Sequence, residues 1–191
     1  MNIQLDAATH TYTVDNQRIP SFSEIAASYF PANEFWTERG RDEGTHIHSA
    51  CALLLENDLD WASVEPSVIP RVRGFEKFLK ESAFKPELAL CEKPAYQPVL
   101  RFCCMPDFVG YLGNFSAIIE AKRGAKHPAH RLQTAAQLLA LKAGGFKAQK
   151  RYALYLKDND YRLEEHADPG DMPRWAAMVS GFHAARCYKE S

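Results

Sequence analysis

In the segment MPDFVGYLGNFSAIIEAKRG, residues 105–124, the charged residues Asp107, Glu120 and Lys122 interrupt a mostly apolar run that ends at Arg123. A Gly113-Asn114 pair lies midway between the two acidic residues. Gly-Asn is a two-residue hairpin signal because both residue types tolerate a positive φ. A turn centred on this pair joins two antiparallel strands and places Asp107 directly opposite Glu120.

Opposed residues on antiparallel strands share one face of the sheet, with Cβ atoms roughly 5 Å apart. Lys122 shares this face because side chains alternate along a strand. Two partly desolvated carboxylates this close raise the pKa of one of them unless a cation lies between, so a divalent metal is predicted. The alternative is a solvated face with a cross-strand charge pair, but Ile118, Ile119 and Ala121 leave the strand no other polar face.

An antiparallel meander is predicted upstream of this hairpin. The stretch ELALCEKPAYQP, residues 87–98, reads as a strand that connects near residues 97–100 to RFCCMPDFVGYL, residues 101–112. The register across that connection places Glu92 opposite roughly residues 104–107. Glu92 is therefore a further candidate for the same site.

A helix is predicted before the meander, because apolar residues recur there at helical spacing. These residues are Ile47, Ala50, Cys51, Leu54 and Leu55. His48 lies nearer the edge of this stripe than His46, so His48 is the better candidate to face a site between helix and sheet. Periodicity alone leaves open that both histidines face solvent.

Other elements follow from local signals. A hairpin is predicted in residues 3–20 with its turn at Asp15-Asn16, and Ser21 with Glu24 resembles a capping box that opens a short helix closed by residues 30–31. One helix follows Pro70, with apolar residues at Val72, Phe75, Phe78 and Leu79. Near the end, residues 150–166 predict two strands joined at residues 158–160, and residues 173–187 predict a helix.

Pro128 begins another predicted helix, which Gly144-Gly145 ends. Gln133 and Gln137 lie one turn apart beside its apolar stripe. They are either an ordinary exposed flank or side chains that reach a strand end to hold a phosphate or a metal-bound water.

Composition fits one globular domain of 191 residues, with 46% hydrophobic and 25% charged residues. A formal net charge of −1 excludes a polycation that coats nucleic acid or membrane indiscriminately. The five cysteines are odd in number and form no CxxC pair, which disfavours a zinc knuckle and a complete disulfide framework. With no signal segment and no membrane-spanning apolar run, a cytoplasmic protein without membrane contact is expected.

The order of elements, with Pro106-Asp107 followed by Glu120-Ala121-Lys122, resembles the PD-(D/E)XK nuclease superfamily. The run from Gly44 to His48 and the pair Gln133 and Gln137 resemble the RecB-like branch and its phage-type exonucleases. The likeness covers roughly residues 10–165. It implies an α/β chain of the α+β type with a restriction-endonuclease-like αβββαβ core, a mixed central sheet flanked by helices, an N-terminal β-hairpin and a C-terminal helix. Residues 1–191 would form a single nuclease domain with its core at roughly 40–165.

The same resemblance implies a role for each motif residue. The ligands of Mg²⁺ or Mn²⁺ would be Asp107, Glu120, the Ala121 carbonyl and His48. Lys122 would orient the attacking water or help to deprotonate it, and Gln133 would steady the substrate or the lysine. Glu92, His46 and Gln137 are additional candidates. No iron–sulfur cluster is expected, because Cys187 alone near the end cannot supply the late cysteines that such relatives use.

The implied function is metal-dependent hydrolysis of DNA phosphodiester bonds, as a double-stranded DNA exonuclease of phage or prophage recombination in a bacterial host. Expected partners are double-stranded DNA ends, a single-strand annealing protein and further copies of the chain. Basic residues that could line a DNA groove are Arg39, Arg41, Arg123, Lys126 and Arg131. Two alternatives stay open: an endonuclease or structure-specific nuclease with the same site, and an inactive nuclease-fold module that binds DNA or a partner.

Overall fold

A five-stranded mixed sheet occupies the centre of the computed structural model, which describes residues 1–6, 8–30 and 38–187, with the backbone alone for 38–43. In order across the sheet, the strands are β10 (Asp160–Glu165), β9 (Lys150–Lys157), β8 (Phe115–Arg123), β7 (Phe108–Leu112) and β4 (Lys85–Pro86). Strands β8 and β9 run parallel, whereas the other neighbours are antiparallel. The expected mixed sheet and the α+β class are confirmed.

The β7–β8 hairpin has the predicted register. Phe108 pairs with Ile119 and Leu112 pairs with Phe115, so the turn lies at Gly113-Asn114. Gly113 has a φ of 59°, a conformation that glycine adopts without a steric cost. One step beyond the Phe108–Ile119 pair, this register brings Asp107 next to Glu120.

The strand predicted over residues 87–98 is wrong. The chain turns through residues 88–92, and only β5 (Ala95–Gln97) is extended, pairing with β6 (Phe102–Cys104) in a separate two-stranded sheet. Pro94 has no amide hydrogen for a ladder, and Glu92 adopts a φ of 51°. The Sγ atom of Cys91 accepts from the backbone N–H of Val109 at 3.3 Å, a donor that a regular neighbouring strand would have used.

The N-terminal element is larger than the expected hairpin. Strands β2 (Thr11–Val14) and β3 (Gln17–Ile19) turn at Asp15-Asn16 as predicted, and both turn residues have a positive φ. Strand β1 (Ile3–Asp6) adds to the other edge of β2 and completes a three-stranded meander. The sequence did not predict β1 as a separate strand, because its alternating pattern is only four residues long.

Five α-helices flank the strands in the described part of the chain: α1 (Phe22–Ala27), α2 (Glu38–Leu55), α3 (Ile69–Ser82), α4 (Pro128–Ala143) and α5 (Asp171–Cys187). The Ser21 hydroxyl caps α1 by accepting from the Glu24 N–H at 3.0 Å. Helix α1 ends before residues 30–31, and Pro31 lies outside the described residues. None of the helices in the described ranges is both long and apolar enough to cross a membrane.

The helices cover opposite faces of the sheet. Helices α2 and α3 bury Ile47, Cys51 and Phe75 against the side of β8 that carries Ala121. Helix α4 lies against the side that carries Glu120 and is covered in turn by α5, whose Trp175 is fully buried. Glu120 is thus held between the sheet and α4, while Asp107 at the start of β7 is reached from α2.

Candidate functional site

Asp107 is fixed by the strand next to it. It is 5% exposed, and its Oδ2 atom accepts a 2.7 Å hydrogen bond from the backbone N–H of Ala121. Its Oδ1 atom lies 3.2 Å from Nδ1 of His48 on α2. One carboxylate oxygen is therefore positioned by the backbone, and the other faces the histidine.

Glu120 accepts hydrogen bonds at both carboxylate oxygens. The Lys122 ammonium donates to Oε1 at 2.8 Å, and the Gln133 amide donates to the same oxygen. The Gln137 amide donates to Oε2 at 2.6 Å. Burial and the Asp107 charge raise the pKa of Glu120, while Lys122 opposes that shift. The amide donors and the ammonium compensate for burying a carboxylate that is only 2% exposed.

Glu92 approaches the same place from the turn at residues 88–92. Its backbone N–H donates to the Pro106 carbonyl at 2.9 Å, which places it beside Asp107 although no continuous strand connects them. Its Oε1 atom is buried without a hydrogen-bond partner. Burial, with the nearby Asp107 charge, raises the pKa of Glu92 to about 8.

Three side chains form a group that could hold a metal ion. One ligand atom from each of His48, Glu92 and Asp107 lies within 4.8 Å of the others. Burial alone would lower the pKa of His48, but the Asp107 carboxylate outweighs it and raises the pKa to about 9. The positive charge of protonated His48 thus offsets the negative charge of the nearby carboxylates. A metal cation bound there would offset the same charge, and its binding would release the proton from His48.

The two histidines of α2 have different surroundings. His48 contacts Asp107, whereas the His46 side chain is 60% exposed and its Nδ1 atom lies 3.3 Å from Glu65. The structure therefore brings His48 to the carboxylates and leaves His46 at the surface. Ala121 contacts Asp107 through its N–H; its carbonyl was the predicted metal ligand.

The donor set suits a hard divalent cation. Carboxylate oxygens with an imidazole nitrogen are ligands that Mg²⁺ and especially Mn²⁺ accept. A cation would compensate the unpartnered Glu92 oxygen, because buried carboxylate oxygens are ordinarily hydrogen bonded. The residues present therefore fit such an ion.

Gln137 is fully buried, so the alternative in which it lies on an exposed flank of the helix is wrong. Its amide nitrogen bonds Glu120 and lies 3.4 Å from the Met105 carbonyl, and its Oε1 atom has no hydrogen-bond partner. Gln133, one turn earlier and partly exposed, bonds Glu120 as well. The interpretation in which both glutamines reach a strand is the one that fits.

The predicted basic groove residues have acidic neighbours. Arg131 pairs with Asp168 at 2.9 Å and with Asp171 at 3.1 Å, and Lys126 pairs with Glu164. Arg123 is exposed just beyond Lys122. The side chains of Arg39 and Arg41 lie outside the described residues.

The sequence did not predict a buried polar network that lies next to α4. The Arg151 guanidinium donates to Asp171 at 3.1 Å and to the Thr134 hydroxyl at 3.3 Å. The Thr134 hydroxyl also lies 3.0 Å from Nδ1 of His166. This network connects β9 and α5 to the helix that carries the two glutamines. No motif marks it, because the bonded partners lie 17 to 32 residues apart in sequence.

No family model and no curated protein matches this chain. A solved structure entitled "Crystal structure of SSO0001" is similar over 73% of this chain and 68% of its own, at 14% identity and a TM-score of 0.38. A similarity of this size assigns neither a fold family nor a function to the chain.

Proposed function

We propose that this chain is a metal-dependent deoxyribonuclease of the PD-(D/E)XK type, in the RecB-like and phage-type exonuclease branch, on a restriction-endonuclease-like core. The observation that carries the proposal is the convergence of Asp107, Glu120 and Lys122 with His48 and Glu92. These residues come from α2, the 88–92 turn and the β7–β8 hairpin, in the order that the motifs require.

Charge supports a cation in this place. Three carboxylates, Asp107, Glu92 and Glu120, lie near the His48 imidazole and the ammonium groups of Lys122 and Lys93, and none of the three acids is exposed. We assign Mg²⁺ or Mn²⁺ to Asp107, Glu92 and His48, with Glu120 as the neighbouring carboxylate. Such an ion supplies a water of lowered pKa and neutralises negative charge that develops on the phosphate.

The protein's own groups position the reactants. The backbone N–H of Ala121 holds Asp107 in one orientation, and Gln137 holds the far oxygen of Glu120. Lys122 is 17% exposed at its side chain, so its ammonium can turn from Glu120 toward a phosphate oxygen or the attacking water. Gln133 bonds the same oxygen as Lys122 and would hold Glu120 when the lysine moves.

The remaining parts of the proposal rest on the sequence resemblance. They are action on double-stranded DNA ends, work beside a single-strand annealing protein in phage or prophage recombination, assembly of several copies around DNA, and a cytoplasmic location. Light scattering tests the assembly, because a ring has a mass that is a multiple of 21.6 kDa.

The test compares linear with covalently closed double-stranded DNA in Mg²⁺ or Mn²⁺, with Lys122→Ala as the inactive control. Loss of the linear substrate alone, absent in the variant, supports an exonuclease that uses this site. Cutting of the closed circle would replace it with an endonuclease. No metal-dependent cutting of either substrate would overturn the proposal and leave an inactive module that binds DNA or a partner.

A further inference from the structure

Two adjoining clefts lie near the candidate site, the larger against α4 and α5 and the smaller between the ends of β8 and β9 and Arg71 of α3. The larger has a volume of about 740 Å³ and the smaller about 360 Å³. Lys126 and Tyr155 line both, so together the clefts form one groove with a shared wall. None of the five clustered site residues lines either cleft, so the groove is a separate feature.

The groove begins one strand away from the proposed catalytic lysine. Tyr155 on β9 is the register partner of Lys122 on the parallel strand β8, and neighbouring strands lie about 4.8 Å apart. The Tyr155 hydroxyl lies 3.2 Å from Nδ1 of His130 on α4. The groove therefore lies close to Lys122, within reach of a nucleic-acid strand bound at that lysine.

The larger cleft has apolar and aromatic walls. Phe30 and His127 meet edge to face with ring centroids 5.5 Å apart, and Leu132 and Met178 continue the surface. Nδ1 of His127 accepts from the Ala129 N–H at 3.2 Å, which fixes the imidazole ring. Fixed rings beside aliphatic side chains are suited to hold a planar base.

The smaller cleft is cationic. Four basic residues line it: Arg71, Lys126, Lys157 and Arg162. Arg71 pairs with Asp158, and both Lys126 and Arg162 pair with Glu164 of the larger cleft, so four cations face two carboxylates and the wall stays net positive. The Arg162 guanidinium lies 5.0 Å from the centroid of the Tyr155 ring, so its positive charge lies at the boundary between the two clefts. A cationic wall of this kind is complementary to phosphates.

We infer that this groove holds an unpaired DNA strand, with a base in the larger cleft and the neighbouring phosphates in the smaller one. Aromatic walls combined with a basic track are the features by which proteins bind single strands. A volume of about 740 Å³ is that of a small-molecule pocket and admits a base rather than a duplex. The inference rests on the proposed function, since it gives the site a substrate with a single-stranded segment beside the cut.

The test is fluorescence anisotropy of a short labelled oligodeoxythymidylate in EDTA, where no metal-dependent cutting occurs. Ala177 is exposed and lines the larger cleft, so Ala177→Glu adds bulk and negative charge there. Lys157→Ala removes an exposed cation from the smaller cleft. The matched controls are Ser180→Glu on the same helix and Lys142→Ala, because both residues are exposed and line neither cleft.

Ala177→Glu is expected to weaken binding about tenfold, and Lys157→Ala to lower the salt slope by about 0.7. The controls are expected to bind like the unmodified protein. The inference is overturned if the unmodified protein does not bind the oligonucleotide, if both groove variants bind with wild-type affinity, or if the controls lose as much affinity as the groove variants. It is also overturned if a blunt duplex shows the same dependence on the variants. Metal-dependent DNA cutting without oligonucleotide binding would contradict the groove inference and leave the nuclease proposal intact. Oligonucleotide binding without any cutting would contradict the nuclease proposal.

Discussion

The backbone N–H of Ala121 donates a 2.7 Å hydrogen bond to Oδ2 of Asp107, across the hairpin that joins them. This bond leaves Oδ1 of Asp107 toward His48, and the hairpin register places Glu120 next to Asp107. The orientation of the acidic cluster is therefore a property of the β7–β8 register.

The first prediction separates the two histidines of α2. His48→Ala is expected to weaken Mn²⁺ binding by at least about tenfold, because the imidazole adjoins Asp107 and Glu92. His46→Ala is the matched control, since His46 is mostly exposed and contacts Glu65. Calorimetric titration of the ion measures both. Equal affinities in the two variants would remove His48 from the ligand set.

Glu92→Gln is expected to raise the melting temperature of the metal-free protein. Burial and the Asp107 charge raise the pKa of Glu92 to about 8, so near neutral pH folding must protonate a carboxylate that is ionised in the unfolded chain; the neutral amide removes that cost without changing the shape. The same variant should lose most of the rise in melting temperature that Mn²⁺ gives the unmodified protein. Differential scanning fluorimetry with and without the ion measures both effects, and an unchanged rise with Mn²⁺ would exclude Glu92 as a ligand.

Gln137→Met is expected to destabilise the fold by about 1–3 kcal/mol, because Oε2 of Glu120 then lacks its buried donor. Gln133→Met should cost less, since Lys122 also donates to the oxygen that Gln133 bonds. Urea unfolding of the two variants gives the comparison. A larger loss for Gln133→Met would contradict this account of how Glu120 is held.

Acid destabilisation is predicted at His166. Burial, with the Arg151 charge, lowers its pKa from 6.5 to about 4, so the folded state binds fewer protons than the unfolded chain below about pH 6.5. Neutral His166 makes its full contribution to the free energy of unfolding above that pH, and this contribution is lost as the pH falls toward 4. The expected loss between about pH 7 and pH 5 is about 2 kcal/mol.

Urea unfolding at both pH values is compared for the unmodified protein and His166→Gln, and the variant should lose about 2 kcal/mol less on acidification. His130, whose burial lowers its pKa to about 3, keeps its own contribution in both proteins. His10→Asn is the control, because His10 is exposed and asparagine tolerates its φ of 50°. If His166→Gln keeps the full pH dependence, another group is responsible.

The sequence predicted the parts of the fold that local patterns determine. Gly113 set the hairpin register, and the stripe around Ile47 and Cys51 set the buried face of α2. Glu92 was placed near Asp107 through a strand that does not exist. Glu92 lies beside Asp107 because the 88–92 turn follows the edge of β7, where the Glu87 N–H donates to the Val109 carbonyl.

Other features depend on contacts that no local pattern encodes. The burial of Gln137 follows from how close α4 lies to Glu120, and the Arg151–Asp171 pair joins elements 20 residues apart. The positive φ of Glu92 is unusual for a residue other than glycine, so propensity predicts the opposite. Tertiary packing decides these positions.

The central claim is a metal-dependent nuclease centre at Asp107, Glu120 and Lys122, and one measurement tests it most directly. Mg²⁺- or Mn²⁺-dependent release of nucleotides from linear duplex DNA is compared for the unmodified protein, Lys122→Ala and Lys142→Ala. The account predicts release that EDTA abolishes, a loss of at least about a hundredfold in Lys122→Ala and none in Lys142→Ala. Full activity of Lys122→Ala, or no release by the unmodified protein with either ion, would contradict it.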